Sequence, residues 1–126
     1  MKSLHLLAGV FLVVAMLVFS SGPAMAQRAV SASDHGYAGQ VVVVRIGAGT
    51  TSGYQINLFV SDNGLANNVD SSILENGMVF SIDPRFDSEV AVTLPADLET
   101  GYYYIKVHDG SSFYLSNRIW IVNLYN

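Results

Sequence analysis

The sequence predicts an all-β fold, an antiparallel sandwich of about seven strands, and three observations carry that prediction. Runs with period-2 alternation, or dense in β-branched and aromatic residues, recur at short spacing along the chain. The separators between them are Gly, Asn, Asp and Pro, the residues that tight turns require. No segment of useful length carries a helical period, which excludes a parallel α/β architecture.

The first 26 residues stand apart. Lys2 is followed by the apolar run Leu6–Phe19, by Ser20-Ser21-Gly22-Pro23, and by the small-x-small end Ala24-Met25-Ala26. That order is expected of a secretory signal peptide, Met1–Ala26, cleaved after Ala26. The apolar run is shorter than the ~20 residues a spanning helix needs, so no membrane span is expected after cleavage. Gln27–Gly39 is polar and small, and is expected to be a flexible leader into one domain, Gln40–Asn126.

Seven strands are expected in that domain: Gln40–Ile46, Tyr54–Ser61, Met78–Asp83, Glu89–Leu94, Tyr102–His108, Ser112–Leu115 and Asn117–Leu124. Gly47-Ala48-Gly49, Asn63-Gly64, Asn76-Gly77, Asp83-Pro84 and Asp109-Gly110 supply the turns. Asp70–Glu75 has room for one helical turn. Alternation assigns the faces. Tyr54, Ile56, Leu58 and Val60 share one side of their strand and are expected in the core. In Tyr102–His108 the choice falls on Tyr103, Ile105 and Val107, because the other set would bury Lys106 and His108 unpaired.

Charge and cysteine content narrow the function. All ten Asp and Glu follow the leader, against five of the six Lys and Arg, so the mature chain carries 5 − 10 = −5. Nucleic acid and anionic lipid are poor partners for such a domain, since each phosphate contact needs a cation. The absence of cysteine excludes thiol catalysis, Cys-ligated metals and any disulfide, and leaves the apolar core to hold an exported fold. There is no Asn-x-Ser/Thr sequon.

Glu99-Thr100-Gly101-Tyr102-Tyr103-Tyr104-Ile105 resembles the acidic-x-Gly-x-Tyr-x-Cys turn of immunoglobulin-like domains, with Ile105 at the cysteine position. The resemblance implies a tyrosine corner in which Tyr103 turns its hydroxyl back onto the preceding turn. A longer resemblance covers Gly53–Val122 through Gly53-Tyr54-Gln55-Ile56-Asn57-Leu58, Leu94 to Val107, and Ser116-Asn117-Arg118-Ile119-Trp120-Ile121. It is similar to the Ser/Thr-rich, cell-surface immunoglobulin-like module of fungi and some bacteria. That module resembles in turn the N-terminal domain of yeast killer-toxin-resistance proteins of cell-wall β-1,6-glucan assembly. The resemblance implies a cysteine-free immunoglobulin-like sandwich, free and secreted, at a cell surface or wall.

His35 and His108 each adjoin an aspartate, Asp34 and Asp109, with Ser33, Ser111 and Ser112 nearby. Sequence neighbours on a strand point to opposite faces, so they form no Ser-His-Asp site, and a hydrolase is the least favoured reading. Acids gather as Asp62 with Asp70, Asp83 with Asp87 and Glu89, and Asp97 with Glu99, at spacings that match no calcium loop. Neither catalytic nor metal-binding residues are assigned, and no cofactor is expected.

The aromatics carry more. With Tyr103, Ile105 and Val107 inside, Tyr102, Tyr104 and Lys106 line the outer face of their strand; with Ile119 and Ile121 inside, Arg118 and Trp120 point out beside them. Tyr102, Tyr104, Lys106, Arg118 and Trp120 are therefore the expected ligand-binding patch, suited to cell-wall polysaccharide or an extracellular protein. The alternative is an assembly module forming a homo-oligomer by strand pairing, for which Val41–Ile46, with Val41 and Val43 exposed, is the expected edge.

Overall fold

A computed structural model describes residues 29–68 and 77–125. The expected signal peptide and the Asp70–Glu75 stretch lie outside the described residues. Among the described residues the chain forms β1 (Val30–Ala32), β2 (His35–Tyr37), β3 (Val41–Ile46), β4 (Gln55–Ser61), β5 (Met78–Ser81), β6 (Ser88–Thr93), β7 (Gly101–His108), β8 (Phe113–Leu115) and β9 (Ile119–Val122). One sheet runs β1-β3-β6; the other runs β2-β9-β7-β4-β5, with β8 on the β9 side of β7. All pairs are antiparallel except β2 with β9. Setting β3 and β6 against β4, β7 and β9 is the immunoglobulin-like sandwich arrangement, here without a disulfide.

The seven expected strands are β3 to β9, with ends shifted by a few residues. β1 and β2 lie in the stretch expected to be a flexible leader. The chain there passes from one sheet to the other at Ser33–Asp34: β1 sets Val30 against Ile46 of β3, and β2 sets His35 beside Trp120 of β9. Val30 is buried in the core. Gly36 takes the inward position of β2, where a Cβ would stand 3.0 Å from Val42 Cγ1. A strand seated this close to the core is built on glycine at that point.

Alternation fills the space between the sheets. Val42, Val44 and Ile46 of β3 and Val90 and Val92 of β6 meet Ile56, Leu58 and Val60 of β4, Tyr103, Ile105 and Val107 of β7, and Ile119 and Ile121 of β9. Burial of each such side chain contributes about 1.5–3 kcal/mol. Two expectations need correction. Tyr54 is exposed, because β4 starts at Gln55 and Tyr54 belongs to the turn before it. β3 is the central strand of its sheet, flanked by β1 and β6, so it is not an edge, although Val41 and Val43 are exposed on its outer face.

The corner at Glu99 forms: the Tyr103 hydroxyl donates to the Glu99 carbonyl at 2.7 Å. Burial, then the negative charges of Glu99, Asp62 and Asp97, raise the Tyr103 pKa above its ordinary value. The hydroxyl therefore stays a donor.

A bulge lies between β8 and β9. β7 pairs with β8 through Lys106–Leu115 and Val107–Tyr114, and with β9 through Tyr103–Ile119 and Tyr102–Trp120. From Lys106 to Tyr103 is 3 steps, from Leu115 to Ile119 is 4, so the last strand carries one extra residue. Ser116, fully buried, holds the bulge: its N–H donates to Ile105 O at 2.9 Å, its hydroxyl accepts from Ile105 N–H at 2.9 Å and donates to Asn117 O at 2.7 Å. Inside the β7–β8 turn, Gly110 takes φ +98° and Asp109 Oδ1 accepts the N–H groups of Ser111 and Ser112 and the Ser111 hydroxyl. Asp109 Oδ2 accepts Ser52 N–H, which ties this turn to the one before β4.

Replacing Ser116 with Ala strands the buried Ile105 N–H, and urea unfolding is expected to register a loss of about 1–3 kcal/mol. Partial burial of Asp109 would raise its carboxyl pKa, but the N–H groups of Ser112, Ser111 and Ser52 and the Ser111 hydroxyl outweigh it and hold the group far below the usual carboxylate range. A depressed folded-state pKa contributes stability above the unfolded value near ~3.9, and that stability fades as pH falls below it. The stability gap between wild type and Asp109→Asn should therefore be full at neutral pH and narrow in urea titrations run below about pH 4.

Candidate functional site

The extra residue at Ser116 decides which aromatic side chains reach solvent. On β8, Tyr114 sits opposite Val107 and turns toward the core; after the bulge, Ile119 and Ile121 turn in and Trp120 turns out. Trp120 pairs directly with Tyr102 of β7, their ring centroids 4.8 Å apart and tilted by 58°. The Arg118 guanidinium lies over the Tyr102 ring, 3.9 Å from its centroid. On the other side β2 places exposed His35 beside Trp120, and exposed Tyr37 beside Val122. Trp120 is 39 % and Tyr102 49 % exposed, so each keeps ring surface free for contact.

The expected patch of five residues is divided. Tyr102, Arg118 and Trp120 come together in this open row. Tyr104 and Lys106 stand on the same side of β7, but the connection after β4 lies across them. A Cβ on Gly64 would be 3.3 Å from the Tyr104 ring, and one on Gly77 only 2.6 Å from the ring of Phe59 on β4, so backbone approaches the sheet there as only glycine permits. The Lys106 ammonium donates to the Asn68 carbonyl and the side chain is fully buried. Lys106 is thus no exposed polar handle. The cost of burying its charge is offset by hydrogen bonding to the covering loop, a solution that the strand's own alternation does not encode.

His35 and Tyr37 belong to the row and were not among the expected site residues. The trace of them is the triplet His35-Gly36-Tyr37, in which two ring-bearing side chains alternate with a glycine small enough to face a core.

Several of the other candidate groups have structural partners. His108 stacks on Phe113 at 4.3 Å between centroids, and Asp109 holds the turn serines. The Asp34 carbonyl accepts Trp120 N–H. Asp83 bonds Arg85, Asp87 accepts Ala48 N–H, and Glu89 pairs with Arg45 at 2.9 Å; Asp70 lies outside the described residues. Among the described residues, no three His, Asp or Glu side chains gather as a metal site, and no helix is long and apolar enough to cross a membrane. With Arg45 and Arg85 in ion pairs and Lys106 buried, Arg118 is the exposed cation outside any ion pair among the described residues.

Comparison with known proteins finds no family model, no curated protein and no solved structure that matches this chain.

The division of the patch is open to a direct check by denaturant unfolding. Lys106→Ala removes a buried charged hydrogen bond and is expected to cost about 2–3 kcal/mol. Arg118→Ala removes an exposed cation–π contact and is expected to cost no more than about 1 kcal/mol.

Proposed function

We propose that this protein is a secreted, non-catalytic binding module of the cell surface or wall that recognises carbohydrate through the open row of His35, Trp120, Tyr102 and Arg118. The observation that supports this reading is the exposure of paired Trp and Tyr rings beside a cation that, among the described residues, lies outside any ion pair. Aromatic faces stack on the apolar C–H surface of a sugar ring, while a guanidinium and an imidazole offer donors to its hydroxyls. Neighbouring strands lie about 4.8 Å apart, so the row from β2 through β9 to β7 spans about 10 Å. That is the scale of a disaccharide. The wall or surface setting rests on the signal-peptide pattern and on the resemblance carried by Gly53–Val122.

Trp120 is the one tryptophan of the chain, which makes it a built-in reporter. Titration with soluble wall oligosaccharides, β-glucan and chitin fragments among them, should change its fluorescence with saturation. Trp120→Ala and Tyr102→Ala should each reduce retention on the corresponding insoluble polysaccharide about tenfold or more, with circular dichroism unchanged. Equal retention of both variants and wild type would sink the reading, and capture of a secreted protein lost in the same variants would move it to a protein partner.

A further inference from the structure

We propose that β6 is the self-association edge of this protein, and that two copies join their β1-β3-β6 sheets by antiparallel β6–β6 pairing centred on Ala91. This site lies on the opposite sheet from the aromatic row and is independent of it.

The hydrogen-bonding phase of β6 is fixed by its neighbours. Leu94 N–H donates to Gln40 O at 2.8 Å, which makes Gln40 and Leu94 a hydrogen-bonded pair. In an antiparallel ladder such pairs alternate with pairs that exchange no bond. Stepping by two along the register gives Val42–Val92 and Val44–Val90 as bonded pairs. The far side of β3 agrees: Gly47 N–H donates to Ala29 O at 2.7 Å, so Arg45 bonds toward β1 and its neighbours Val44 and Ile46 bond toward β6. The N–H and C=O groups of Glu89, Ala91 and Thr93 consequently point away from β3. Among the described residues no strand lies on that side.

Among the described residues this edge carries few of the devices that discourage pairing. Its outer-face residues are Glu89, Ala91 and Thr93, with no Lys, Pro or bulge among them, and the register with β3 is unbroken over all six residues. Arg45 neutralises Glu89. The core is also most open here: Val90 at 9 % and Val92 at 6 % are its most exposed members.

The sequence of the edge is self-complementary in one register. A two-fold axis at Ala91 sets Ala91 against Ala91 of the second copy and Glu89 against Thr93, so all three outward residues exchange bonds. Val90 then faces Val92 across the seam. On the outer face exposed Val43, beside Ala91, extends an apolar row across both copies. An axis at Glu89 would oppose two carboxylates, and an axis at Val92 or Thr93 would bring Glu89 or Ala91, respectively, against Pro95, which has no N–H. An axis at Val90 would set Thr93 against Asp87, outside the strand and already bonded to Ala48.

Sedimentation equilibrium of the purified protein is expected to show a reversible dimer. Ala91→Lys and Ala91→Glu each oppose like charges at the axis and should weaken dimerisation roughly tenfold or more, while an equimolar mixture of the two restores it. Circular dichroism melts confirm folding, since the Ala91 side chain is exposed on the outer face of the sheet. Wild type that stays monomeric at millimolar concentration overturns the proposal. So does an Ala91→Lys variant that dimerises as well as wild type or better, or a dimer that dissociates on Trp120→Ala.

Discussion

The hydroxyl of Ser116 and the amide of Ile105 make the contact on which the rest of this sandwich depends. The final hairpin must close the core with Ile119 and Ile121, yet it leaves the β7–β8 turn with Tyr114 facing inward. An unbroken strand would keep the even-numbered side chains inside and would turn Trp120 into the core and Ile119 out. One inserted residue reverses the parity. Such an insertion normally leaves a main-chain group unpaired, and here that group is the buried N–H of Ile105. A serine at the bulge supplies a short side-chain oxygen at the position where the ladder fails. Core closure and the outward face of β9 are therefore two results of a single hydrogen bond.

The same device sets the position of β2. That strand runs parallel to β9 with His35 beside Trp120 and Gly36 beside Ile121, so its glycine lies over the core and its two rings over the solvent face. The solvent face of the larger sheet is thereby divided. Toward β4, the chain after Ser61 approaches Tyr104, which is half-buried, and buries Lys106. Toward β2, Tyr102, Trp120 and His35 stay open and Arg118 leans on Tyr102. The boundary runs between Tyr102 and Tyr104, two residues apart on one strand with the same outward direction. Exposure at this surface is a property of what crosses the strand and not of the strand itself.

That distinction explains what could be read from the residues in advance. In β4 and β7 the residues Ile56, Leu58 and Val60, and Tyr103, Ile105 and Val107, turn inward as their alternation predicts, because burial against a facing sheet is a demand met locally. The tyrosine corner is legible for the same reason: Glu99 and Tyr103 are four residues apart. β1 and β2 are not legible, since three-residue strands with Ser, Ala and Gly show too few apolar positions to set a phase, and their order comes from β3 and β9, which are distant in sequence. Lys106 misleads by sound logic. A charge on an outer face belongs in water unless something covers it, and the covering carbonyl of Asn68 is 38 residues away.

Without a disulfide, a sandwich of this size relies on continuous contact between its two layers, and the ties that do exist are distributed along its rim. Tyr103 locks the corner before β7, Asp109 joins the β7–β8 turn to the turn before β4, and Asn123 gathers the end of β9 to the carbonyls of Ala96 and Leu98. Each of these polar ties belongs to the larger sheet and its approaches. The smaller sheet is tied at the start of β6 by Asp87, which accepts Ala48 N–H, but among the described residues no strand lies along the outer side of β6, where the valines of the core reach the seam. Among the described residues, the three-stranded sheet ends on a six-residue strand that no other strand covers. Pairing with a second copy would finish it with backbone groups that are already aligned, and would leave the aromatic row on the opposite layer free to bind.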